Sequence, residues 1–178
     1  MSKPPSVARN NALRIVINDA SCLIDLHKGG ILRAMLRLPY QFQVALPVRV
    51  NELLTIPSDD WAFLAAGGLA TVDLPGEAVA EVEVLRANHG ALSAEDCFSL
   101  VLARRTQGSL LLTGDGALRQ IAQGYRIPVH GVLWVVDELA KLGLADAVML
   151  RACLELWRDD PLVWLPASEV AARIRRLS

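Results

Sequence analysis

Leu13-Arg14-Ile15-Val16-Ile17-Asn18-Asp19 is an apolar run that ends in a carboxylate, and Ser109-Leu110-Leu111-Leu112-Thr113-Gly114-Asp115 has the same form later in the chain. Residues 14–18 are apolar on both faces, as in a strand covered by helices on each side and not one at a sheet edge. Both runs read as buried strands whose carboxyl ends present Asp19 and Asp115. In open α/β sheets that edge is where ligands bind.

The pattern continues on either side of these two runs. Ala20 to Lys28 has helical spacing until Gly29-Gly30 breaks it, and Ile31 to Leu38 forms a second helix stopped by Pro39. Phe42 to Leu46 reads as a strand, and Pro47 opens a helix that carries Glu52 and ends at Pro57. Ser58-Asp59-Asp60 caps a short helix over Trp61 to Ala66, followed by a third strand, Leu69 to Leu74. A helix over Glu77 to Ala87 leads to Ser93-Ala94-Glu95-Asp96, a hydroxyl cap with acids in the first turn of a helix that reaches Thr106. After the Leu110 to Thr113 strand come a helix over Gly116 to Gln123, a fifth strand over Ile127 to His130, and helices near 132–142, 146–157 and 168–177.

Strands alternating with helices imply parallel βαβ units. The expected fold is a three-layer α/β/α domain around a Rossmann-like parallel sheet of four or five strands, with a C-terminal helical extension from about residue 131. One domain covers 13–178, and residues 1–12, with Lys3, Pro4, Pro5 and Asn10-Asn11, read as a frayed tail. The 178 residues are 53% hydrophobic, enough for a sizeable core, yet no apolar run approaches the roughly 20 residues of a membrane span.

Cys22, Cys97 and Cys153 are far apart and set in apolar surroundings, as buried thiols in a reducing, cytoplasmic compartment would be. A net charge of −1 neither argues for nucleic acid nor excludes it. Arg33 with Arg37, Arg104-Arg105 and Arg173-Arg175-Arg176 either touch phosphates or, as the reading preferred here, lie on solvated helix faces.

Asp19, Glu52, Asp96 and Asp115 therefore stand at strand ends or helix starts on four segments. Each alone reads as a cap. Together they suggest one centre, because like charges about 4 Å apart repel by on the order of 4 kcal/mol at an effective dielectric of 20 and need a cation or shared protons. Oxygen donors without paired His or Cys point to Mg²⁺ or Mn²⁺.

These segments resemble the PIN domain nucleases. Ile15-Val16-Ile17-Asn18-Asp19-Ala20-Ser21 is similar to the family's opening strand with Asp-x-Ser, and Val50-Asn51-Glu52-Leu53-Leu54 to its Glu-bearing helix. Leu92-Ser93-Ala94-Glu95-Asp96, with Ala103, resembles the third motif, and Leu111-Leu112-Thr113-Gly114-Asp115-Gly116-Ala117-Leu118-Arg119 with Ile121-Ala122 the fourth. The resemblance implies that Asp19, Glu52, Asp96 and Asp115 are metal-binding catalytic acids and that Ser21 and Thr113 orient carboxylates or water. Asp96 fits the motif's spacing better than Glu95. Ala117 and Gly114 stand where some members carry further acids, which implies weaker metal affinity.

The resemblance further implies a Mg²⁺- or Mn²⁺-dependent ribonuclease that hydrolyses phosphodiesters with an activated water. It is most like the toxins of bacterial toxin-antitoxin pairs, with RNA as substrate, a small antitoxin as partner and a homodimer as assembly. The alternatives are a catalytically weak PIN-like binding module and, more remotely, another hydrolase on a Rossmann-like sheet. Other features have plainer readings. His27, His89 and His130 are surface or capping residues, Asp25 is solvated, and Gly114-Asp115-Gly116 is a tight turn without Walker spacing. Trp61, Trp134, Trp157 and Trp164 are core or oligomer anchors in preference to base-stacking platforms, and Leu133 to Leu144 offers an apolar face to a dimer or partner.

Overall fold

The computed structural model describes residues 13–177, so the expected tail over 1–12 lies outside the described residues. β1 (Arg14–Asn18) occupies the middle of a five-stranded parallel sheet, with β2 (Tyr40–Ala45) and β3 (Leu69–Val72) on one side and β4 (Leu110–Leu112) and β5 (Val129–His130) on the other. Ile17 lies opposite Gln43 of β2 and Leu111 of β4. Val16, Ile17 and all three leucines of β4 are buried, as expected for strands with helices on both faces.

The order β3-β2-β1-β4-β5 fixes the place of the site. The chain steps outward from β1 to β3, then returns past β1 to add β4 and β5 on its other flank. The carboxyl ends of β1 and β4 therefore border the crevice where the strand order reverses, the usual ligand position in such sheets. Asp19 follows β1 there, and Thr113 to Asp115 follow β4.

Around the sheet lie α1 (Ala20–Lys28), α2 (Leu32–Met35), α3 (Leu46–Asn51), α4 (Ser58–Ala66), α5 (Gly76–Asn88), α6 (Ala94–Arg105) and α7 (Gly116–Gly124). α8 (Val132–Lys141), α9 (Ala147–Asp159) and α10 (Ala167–Arg176) form the C-terminal extension. Gly29 lets α9 approach α1, since a Cβ there would meet Cys153 Sγ at 2.5 Å and Trp157 Nε1 at 2.9 Å. Val132, Val135, Val136 and Leu139 of α8 are buried, so its apolar face is used within the chain.

Several boundaries differ from the sequence reading. α3 ends at Asn51, leaving Glu52 as its C-cap, because the chain turns there to bury Leu53 and Ile56, well before Pro57. α4 begins at Ser58 itself, behind Pro57 and with no side-chain cap. β3 stops at Val72, two residues short of Leu74, and β5 spans only Val129–His130 after Pro128. Trp61 and Trp157 are buried, but Trp164 is 89% exposed. Asp25 is half-buried, and burial raises its carboxyl to about 6, with the charge of Asp160 adding to the effect.

Candidate active site

Asp19 is 2% exposed, at the N-cap of α1 directly after β1. Its backbone N–H donates to Leu112 O at 3.0 Å, so the β1–β4 ladder fixes its position. Ser21 Oγ donates to Asp19 Oδ2 at 2.8 Å and Thr113 Oγ1 donates to the same oxygen at 2.9 Å. Each hydroxyl also accepts a backbone N–H, from Gly114 at 3.0 Å for Ser21 and from Asp115 at 3.0 Å for Thr113. An N–H cannot accept, so each hydroxyl turns its own proton to the carboxylate. The turn after β4 thereby orients the acid after β1.

Ser99 is a participant that sequence reasoning missed. It is fully buried on α6, three residues beyond Asp96 and so on the same helix face, with its Oγ 3.5 Å from Asp19 Oδ1. The available signal was a lone hydroxyl on the apolar face of α6, at helical spacing from a candidate acid. Arg119 belongs to the fourth motif, where it carried no assigned role. Its Nη2 donates to Thr113 O at 2.9 Å, bracing the β4 end from α7. Asn18 is fully buried, with Nδ2 on Val16 O and Gln43 O.

Ser93 is the expected hydroxyl cap, and Asp96 completes a capping box with it: Ser93 N donates to Asp96 Oδ2 at 2.7 Å, while Asp96 N–H donates to Ser93 Oγ at 3.0 Å. This leaves the other carboxylate oxygen uncommitted. Glu95 accepts from Asn51 Nδ2 at 2.7 Å, tying α6 to α3 beside Glu52. Burial first, then the charges of Asp19, Glu95 and Asp96, push Glu52 up to about 7. Burial also raises Asp19, with the charge of Asp96 adding to it against the hydroxyl bonds.

Asp19, Glu52, Asp96 and Glu95 are thus one electrostatic cluster. Asp115 stands apart, exposed at the N-cap of α7, with Oδ1 accepting from Leu118 N at 2.7 Å. As the side chains stand, no three His, Cys, Asp or Glu residues among the described residues are placed to hold a metal ion together. The donor chemistry nevertheless fits a hard divalent ion. The groups are oxygens, and Asp19 and Glu52 are raised by burial first and then by the charges of neighbouring acids, which a bound cation would offset.

A cleft of about 720 Å³ is lined by Ser21, Asp115 and Arg119 together with Leu162 and Trp164. Among the described residues no helix is long and apolar enough to cross a membrane. The arginine clusters are largely paired: Arg33 with Asp60, Arg105 with Glu81, and Arg173 with Asp137 and Glu169. No curated protein matches the chain. A family model described as a PIN domain matches residues 15–178 and, with the parallel sheet and the acids at its switch point, the chain belongs to the PIN-domain family, whose members are generally nucleases.

Proposed function

We propose that the chain is a Mg²⁺- or Mn²⁺-dependent endoribonuclease, with Asp19, Glu52, Asp96 and Asp115 as its metal-binding and catalytic acids. One observation carries this reading: a nearly inaccessible carboxylate at the switch point, Asp19, is aimed by two hydroxyls and crowded by other acids. When bound, the divalent ion supplies Lewis-acid polarisation of the phosphoryl group and lowers the pKa of a water.

The chain's own residues prepare that chemistry. Ser21 and Thr113 hold Oδ2 of Asp19, and Oδ1, 3.5 Å from Ser99 Oγ, is the oxygen turned away from that pair. Asp96 keeps one oxygen beyond its capping bond, and Asp115 keeps Oδ2 beyond its own. Glu52, at about 7, holds a proton near neutral pH that cation binding releases. Cleavage of single-stranded RNA with Mn²⁺ by wild type, Asp19→Asn and Asp115→Asn, with chelator controls, tests the reading. Equal activity in all three proteins would overturn it.

The exposed, cap-forming position of Asp115, together with Ala117 and Gly114, favours one second reading, a catalytically weak PIN-like binding module. Oligonucleotide binding without cleavage would select it. We also propose the toxin role, with a small antitoxin as partner and a homodimer as assembly. The support is the chain's PIN membership and the motif likeness of its acids to those toxins. Growth arrest on expression, relieved by Asp19→Asn or by the product of an adjacent small reading frame, tests the role, and light scattering tests the dimer.

A further inference from the structure

Trp164 is the most exposed large apolar side chain among the described residues, and Leu162, beside it, is 73% exposed. The loop that carries them is nonetheless held in place. Val163 between them is buried, Asp160 Oδ1 accepts from Leu162 N at 2.8 Å, and Lys28 Nζ straps Asp160 to α1 at 3.1 Å. Pro161 and Pro166 further restrict the backbone. An indole presented to solvent by a fixed loop is a preformed surface, which needs little ordering to bind.

Its position gives that surface a use. Trp164 and Leu162 line the same 720 Å³ cleft as Ser21 and Asp115. Ser21 is itself hydrogen-bonded to Asp19, so the cleft that holds the indole also holds Asp115 and a side chain that orients Asp19. Arg119 lines the same cleft. Its guanidinium is fixed by Thr113 O at 2.9 Å and Val129 O at 3.5 Å, and with five N–H donors it has some to spare for a phosphate. Lys28 and Arg119 on these walls are balanced by Asp25 and Asp115, so net charge gives the cleft little hold on an anion. A flat aromatic face and one oriented guanidinium in the same cleft suit an unpaired base followed by its phosphate.

We propose that this cleft is a nucleobase subsite of the nuclease, in which an unpaired base next to the cleaved phosphodiester stacks on Trp164 and Arg119 meets the adjoining phosphate. The proposal rests on the ribonuclease reading and adds to it a positioning residue on the C-terminal extension.

The test uses a fluorescein-labelled phosphorothioate octaribonucleotide, with Ca²⁺ in place of Mg²⁺ or Mn²⁺, and the full chain as wild type, Trp164→Ala, Trp164→Leu and Trp164→Phe. Trp164→Ala and Trp164→Leu weaken binding roughly 5- to 100-fold, as loss of one stacked base requires, while Trp164→Phe stays within about threefold. The probe also quenches the part of the tryptophan emission that Trp164→Phe removes. In RNA cleavage, Trp164→Ala raises KM and leaves kcat near wild type.

Wild-type affinity in Trp164→Ala overturns the subsite, as does full affinity in Trp164→Leu or failure of wild type to bind the probe. A change in particle mass in Trp164→Ala with unchanged probe affinity assigns the indole to a second copy and also overturns it. Binding with quenching but no RNA cleavage by wild type leaves the subsite standing and removes the ribonuclease reading. All four proteins should melt together, because Trp164 buries almost nothing.

Discussion

The two halves of the acid centre are held by different means. On the strand side, Asp19 is fixed by the β1–β4 ladder and two hydroxyls, each locked in direction by a backbone N–H of the Gly114-Asp115 turn. On the helix side, Glu52 caps a short helix, its carboxylate accepts no hydrogen bond among the described residues, and neighbouring acids repel it. One half is organised before any ligand arrives, and the other stores repulsion that a cation would relieve. Metal binding should therefore change the helix side more than the strand side.

Removing the strand-side acid breaks the comparison most severely. Asp19→Asn is expected to lower Mn²⁺-dependent RNA cleavage by on the order of 10³-fold or more, the value of several kcal/mol of charge stabilisation, in a single-turnover assay. Thr113→Val keeps the side-chain shape but deletes the donor to Asp19 and the acceptor for Asp115 N–H. A loss of roughly 10- to 100-fold in activity or metal affinity is expected. Ser99→Ala, which removes only a 3.5 Å contact, should cost less than Thr113→Val. The reverse order would show that α6, and not the β4 turn, aims the carboxylate.

The helix side is tested by pH. Glu52 releases its proton near 4.5 when unfolded and near 7 in the fold, so between those values the folded chain holds the extra proton. Its raised value thus makes stability in chelator fall as pH rises from about 4.5 to 7, and Asp19, also raised, acts in the same direction. The half-exposed Glu52 is screened, so the expected loss is on the order of 1 kcal/mol, or roughly 2–4 °C in melting temperature. Thermal melts should show the slope in chelator, a flatter one in Glu52→Gln, and its disappearance with saturating Mn²⁺. A slope unchanged by Glu52→Gln would remove Glu52 from the cluster.

The same division explains what could be read from the sequence. β1 and β4 were legible because strands buried on both faces are continuous apolar runs, and Asp19 and Asp115 were legible because they end those runs. The hydroxyl cap at Ser93 was legible because its chemistry is local. Glu52 was placed within a helix because Pro57 marks where a helix must have stopped, not where tertiary packing of Leu53 and Ile56 stops it earlier. Ser99 escaped because its meaning depends on which face of α6 meets Asp19, a contact across 80 residues of chain. Trp164 escaped for the opposite reason: apolar character predicts burial, and only the folded loop shows that its neighbour Val163 takes the buried place.

The smallest expected effect concerns the turn itself. Gly114 stands where some PIN domains carry an acid, and its N–H holds Ser21 in the hydroxyl pair. A Cβ at Gly114 would lie 3.4 Å from Ser21 Oγ and 3.7 Å from Ser21 Cβ, ordinary contact distances, and the residue is exposed without a positive φ. Gly114→Ala should therefore cost less than about 1 kcal/mol in a denaturant melt. Because the N–H remains, cleavage should also stay close to wild type, well above that of Thr113→Val. If Gly114→Ala instead lost as much activity as Thr113→Val, a few tenths of an ångström at Ser21 would suffice to misdirect Asp19. The strand side would then owe its order to the fit of this turn as much as to its hydrogen bonds.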